Sequence, residues 1–75
     1  MSDAAPITIY VALKDEGVPV WRPVSATQIG PSRFCIGGSV PEHEVWEFQP
    51  GQIVECETHR FEEGASGLVA VRVAD

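Results

Sequence analysis

Two cysteines and two histidines are the residues of this chain best suited to chemistry. Cys56 and His59 are separated by two residues and Cys35 and His43 by seven, so the donors of a Cys2His2 zinc site are present in number. Their spacing argues against one. On an extended strand, residues three apart point to opposite faces, and Cys56 and His59 reach one ion only across a bulge. Nucleophilic chemistry would set Cys35 or Cys56 beside His43 or His59, with a third group orienting the base, and nothing in the residue order assembles that set. A disulfide between Cys35 and Cys56 needs neighbouring strands with Cα atoms about 6 Å apart, and a cytosolic chain keeps its thiols reduced. The reading is two buried, inert thiols, with no metal, no cofactor and no catalytic residue. Gly37-Gly38 lacks the Lys and helix start that a phosphate loop uses.

The aromatic residues point to binding instead. If Ile7, Ile9, Val11 and Leu13 face a core, Tyr10 projects outward; by the same alternation Trp21 opposes Val20 and Trp46 opposes Val45. Tyr10, Trp21, Trp46 and Phe48 would then form a shelf flanked by Glu44, Glu47, Glu55 and Glu57. Such a shelf suits a basic or proline-rich peptide, the rings packing its apolar part and the carboxylates holding Arg or Lys. The competing reading makes both Trp residues lids over a thin core, with Arg22 stacked on a Trp and paired with Glu47.

Charge separates the partner classes. Eleven Asp and Glu stand against five Lys and Arg, a formal net charge of −6, whereas phosphate backbones and anionic membranes are bound through clustered cations. Another protein or a basic peptide is the better electrostatic match. The alternative is single-stranded nucleic-acid binding through Trp21, Arg22, Arg33 and Arg60, the ring stacking and the guanidinium groups meeting phosphate.

Strands must position these residues. Residues 7 to 13 alternate with period two and read as a first strand, Asp15-Glu16-Gly17 as a turn, and Val18 to Ala26 as a strand whose prolines, Pro19 and Pro23, confine it to an edge or a bulge. Gln28-Ile29-Gly30-Pro31-Ser32 turns into a short strand, Arg33 to Ile36, and Ser39 to Glu44 reads as a loop. Val45-Trp46-Glu47-Phe48 is a short strand or an extended lead-in. Pro50-Gly51 is a turn, because proline presets φ at one corner and glycine accepts positive φ at the next. The strand Ile53 to Phe61 follows and is expected at the centre of the sheet, with Val54, Cys56 and Thr58 on one face and Glu55, Glu57 and His59 on the other. After a loop from Glu62 to Gly67, Leu68 to Ala74 forms the last strand, with Val69, Val71 and Val73 opposite Leu68, Ala70 and Arg72. That edge is apolar and carries no proline, so strand addition there would make a homodimer; the chain is otherwise a monomer.

No segment has helical periodicity, and Gly or Pro recurs too often for a helix. The fold class is all-β: five or six short strands closed into a small antiparallel barrel, SH3-like as first choice and OB-like as second, since an open sheet of this size would leave an apolar face wet. Residues 1–6 read as a flexible leader and 7–75 as a single domain. A chain of 75 residues buries only about 60% of its unfolded surface, which makes for marginal stability. There is no signal-peptide pattern and no stretch near the roughly twenty apolar residues of a membrane span, so the expected location is cytoplasmic.

The stretches from Asp15 to Val24, containing "DEG" and "WRPV", and from Trp46 to Cys56, containing "WEF" and "PG", resemble those of a group of short bacterial proteins. The resemblance spans most of the chain and implies no activity, cofactor or site residue.

Overall fold

A computed structural model describes residues 6–14, 17, 20–61 and 64–74. Five strands, β1 (Ile7–Ala12), β2 (Trp21–Gln28), β3 (Arg33–Ile36), β4 (Ile53–Arg60) and β5 (Ser66–Val73), follow one another around a closed barrel in chain order. There is no helix among the described residues, and hence none long and apolar enough to cross a membrane. The order is a plain meander, without the Greek-key crossing of an OB-like barrel. β4 lies between β3 and β5. The leader over residues 1–5, Asp15 and Glu16 of the first turn, Val18 and Pro19, and Glu62 and Glu63 lie outside the described residues.

Four strand pairs are antiparallel, but the closing pair is parallel. A meander with an odd number of strands brings its first and last strands round pointing the same way, and β1 meets β5 at Tyr10 and Val69. This closure corrects the expectation of a free apolar edge at Leu68 to Ala74, because β5 is paired with β4 along its length and with β1 at Val69. Beyond that contact, the edge of β1 is taken by the chain ahead of β4. Lys14 N–H donates to the Val45 carbonyl at 2.7 Å and Glu47 N–H to the Ala12 carbonyl at 2.8 Å, and Leu13 bridges to Trp46.

That segment reverses a second expectation. Glu44, Trp46 and Phe48 are buried while Val45 and Glu47 are exposed, so the period-two alternation is present with the opposite phase. Trp46 is 4% and Phe48 8% exposed, against 46% for Val45. Two large rings remove far more apolar area from water than one valine, so they set which side turns inward. They join Ile9, Val11, Phe34, Ile36 and Val54 in the core.

β5 departs from simple alternation as well. Glu55 opposes Arg72 and Cys56 opposes Ala70, leaving Val71 as the extra residue of a bulge. Ahead of the bulge, Ala70 stands opposite Cys56 on the inner face and Val69 opposite Glu57 on the outer, yet both are buried. The Pro-Gly turn is as expected: Gln52 N–H donates to the Gln49 carbonyl at 3.1 Å and Gly51 has φ +91°, the signature of a type II turn.

Candidate binding surface

The outer residues of β4 run Glu55, Glu57, His59, and the same alternation carries on to Phe61 just past the strand end. Phe61 is fixed there by its own turn, its N–H donating to the Ala65 carbonyl at 2.8 Å and its carbonyl accepting from Gly64 N–H at 3.0 Å. Across the barrel seam, Tyr10 occupies the outer face of β1, and Trp21 opens β2 opposite Ala12. These four rings meet. Phe61 lies 5.0 Å from Tyr10, 4.9 Å from His59 and 6.2 Å from Trp21 between ring centroids, all edge to face, and Trp21 lies 5.6 Å from His59.

Gly67 makes the meeting possible. It sits opposite His59 in the β4–β5 ladder, and a Cβ placed on it would fall 2.7 Å from Tyr10 Cε1 and 3.3 Å from Phe61 Cε2. The missing side chain is the space in which the Tyr10 ring lies. Tyr10, Trp21 and Phe61 are half-buried and His59 is exposed, so the cluster has a packed underside and an open top. Glu57, exposed, stands two residues before His59 on the same face.

Of the residues singled out from sequence, Tyr10, Trp21 and Glu57 belong to this surface. Trp46 and Phe48 do not: they are core, and the shelf they were expected to share is corrected accordingly. Glu44 is also withdrawn from the surface. Its side chain is 5% exposed, its Oε1 accepts from Arg22 Nε at 3.1 Å and from Trp46 Nε1 at 2.9 Å, and its Oε2 accepts from Arg22 Nη2. The expected pairing of Arg22 with Glu47 is thus replaced by one with Glu44, which lies on the inward side of the alternation. Glu55 is engaged by Arg72 at 2.9 Å, with Arg33 at 3.9 Å; Glu47 is exposed on the segment beside β1.

The residues considered for nucleic acid are dispersed. Trp21 is in the ring cluster, Arg22 is held by Glu44, Arg33 lies beside Glu55 on β3, and Arg60 is exposed at the end of β4. Two members of the cluster, His59 and Phe61, are absent from the binding set drawn from sequence. The signal for them was the outer-face parity of β4, extended one step beyond the strand.

The cysteines lie on different faces. Cys35 pairs with Ile53 on the outer side and is half-buried, Cys56 is buried inside, and both are free thiols. Burial pushes the Cys56 thiol up to about 11, because the thiolate loses its hydration there. His59 faces outward from the strand whose inner side carries Cys56, so the two do not share a site.

No family model matches this chain, and no curated protein or solved structure does either.

Proposed function

We propose that the chain is a small protein-binding module that captures a basic, proline-containing segment of another protein on the outer ring cluster of Tyr10, Trp21, His59 and Phe61. The observation that carries this reading is the cluster itself. Three aromatic side chains and an imidazole are gathered on the solvent side of a barrel whose core is already filled by other rings. Aromatic groups left half-exposed in contact with one another offer flat apolar area at low entropic cost, and a guanidinium or ammonium laid over such rings gains about 0.5–1 kcal/mol at an exposed site. Glu57 and the net charge of −6 draw a cation to the same face. In this reading the module works in the manner of SH3-like barrels, whose aromatic-lined grooves take extended proline-rich segments, and it operates in the cytoplasm with both thiols reduced.

The cation inventory favours a protein partner over nucleic acid. Of five Lys and Arg, Arg22, Arg33 and Arg72 have carboxylate partners within 4 Å. Few cations remain to neutralise phosphate.

The test is fluorescence anisotropy of a labelled peptide of alternating Arg and Pro, with an alternating Glu and Pro peptide and single-stranded oligonucleotides as controls. Saturable binding of the basic peptide alone is expected, weakened about tenfold or more by Trp21→Ala and by Phe61→Ala. Gly67→Ala, which evicts the Tyr10 ring, should weaken it without removing any contacting side chain. Tight oligonucleotide binding with a steep salt dependence, or no peptide binding at low salt by a folded protein, would refute the proposal.

A further inference from the structure

We propose that the cleft beside the first half of β2 is a second site, separate from the ring cluster, which binds a carboxylate carried on a small apolar body through the free edge of the Arg22 guanidinium.

The cleft follows from strand lengths. β3 has only four residues and pairs with β2 at Ala26 to Gln28, so from Trp21 to Ser25 that edge of β2 has no strand beside it among the described residues. Gly37 N–H donates to the Ser25 carbonyl at 2.8 Å, after which the chain swings away and returns at Glu44. The space left is a cavity of about 400 Å³, within the range of roughly 300–1,000 Å³ typical of small-molecule sites. Pro23 lies two residues from Ser25 on the same edge and has no N–H to offer, which blunts that edge against an added strand. The cleft is therefore open to a small molecule more than to a chain.

Arg22 gives it chemistry. The Nε and Nη2 atoms of Arg22 donate to the two oxygens of Glu44, which is the side edge of the guanidinium. The end edge, carrying Nη1 and the second Nη2 hydrogen, has no acceptor among the described residues, and the Arg22 side chain is 43% exposed where it lines the cavity. Glu44 is anchored from behind by Trp46 Nε1, so the fork is held in one orientation before any ligand arrives. A planar carboxylate matches two parallel N–H groups. Ser25, Ser39 and His43 also line the cleft, and their side chains make no hydrogen bond among the described residues, while Val24, Pro41 and Trp46 supply apolar wall. One guanidinium, already shared with Glu44, suits a single negative charge better than a phosphate dianion.

The experiment is an NMR titration of the full chain with benzoate and, separately, with neutral benzamide of the same shape. Benzoate should produce saturable millimolar shifts at Arg22 Nε–H and at the amides of Gly38, Ser39 and His43, with the Tyr10, Trp21 and Phe61 signals still. Benzamide should bind at least about tenfold more weakly, having lost the charged acceptor. An acetylated tripeptide with a free C-terminus, compared with its C-terminal amide, distinguishes a chain terminus from a free organic acid as the source of the carboxylate, by which acid binds more tightly. Arg22→Lys, which keeps the charge and loses the fork, should reduce affinity about tenfold. If that variant is unfolded, the comparison of benzoate with benzamide on the unaltered chain decides the proposal by itself. Equal binding of benzoate and benzamide, no saturable shift, or shifts confined to the ring cluster would each overturn the proposal.

Discussion

Replacing Arg22 with Met tests the packing logic of the whole barrel end. The substitution keeps the length and apolar stem of the side chain and removes the guanidinium from a Glu44 carboxylate whose side chain is 5% exposed in the native protein, leaving it, among the described residues, Trp46 Nε1 as hydrogen-bond donor. Breaking a fully buried ion pair on one side costs about 3–5 kcal/mol because a charge is stranded. Arg22 is 43% exposed, so water already screens part of this pair, and about 2–3 kcal/mol is the appropriate expectation. For a chain of 75 residues, total stability is about 4–11 kcal/mol, and each kcal/mol is about 4–8 °C in Tm. The variant should fold, with its melting point lowered by about 10–20 °C. The loss should also depend on pH with a definite sign. An unpaired buried carboxylate favours its neutral form, so the folded variant takes up a proton more readily than its unfolded chain, and its deficit shrinks as pH falls from 7 toward the ordinary carboxylate range of about 4. Chemical denaturation at both pH values measures this, in a His43→Ala background that removes the imidazole 4.0 Å from Glu44. Glu44→Gln added to Arg22→Met should restore much of the loss, since the amide oxygen still accepts from Trp46. A deficit below about 0.5 kcal/mol, the level of an ordinary surface change, or one that stays constant on acidification, would refute the account of Glu44 as a buried charge held by Arg22.

Three further outcomes follow from single positions. With a thiol reagent, the native protein should react first at Cys35, and Cys56 should respond only on unfolding, giving one fast thiol and one whose rate tracks denaturant. Cys56 also makes stability fall at alkaline pH: its folded value of about 11 lies above the ordinary thiol value of 9.0, so the stabilisation is whole below 9, declines as the unfolded chain ionises first, and is lost by 11. The decline amounts to about 3 kcal/mol at most, and Cys56→Ala should flatten the slope of that pH dependence. Gly51→Ala should cost about 1–2 kcal/mol, because its φ of +91° is a region L side chains rarely occupy although the site has open space; a neutral result by thermal melting would contradict the type II turn.

The alternation of side chains around this barrel was legible wherever a strand had one apolar and one polar face. β1 and β4 are of that kind, and Arg33 to Ile36 and the Pro50-Gly51 turn are fixed by local chemistry that reads directly from residue type. The segment from Glu44 to Phe48 was not legible because both of its faces carry an apolar residue: Val45 on one, Trp46 and Phe48 on the other. Period two then says that the faces differ without saying which is inside, and the choice falls to the area that each can bury against the rest of the core. That choice decides the site as well. Had Trp46 faced out, the exposed rings would have gathered beside Glu44 and Glu47; with Trp46 in, Glu44 turns in with it and must be neutralised, which draws Arg22 away from the surface and into the cleft. The ring cluster was illegible for a different reason. It forms across the one parallel contact of the barrel, Tyr10 with Val69, and nothing local to residues 10, 59, 61 or 67 records that β1 and β5 become neighbours. What does record it is the strand count, since five strands in sequence, once closed, must set the first beside the last in parallel. The space at Gly67 then reads as a requirement of closure, and the cluster above it as the part of that seam which faces solvent.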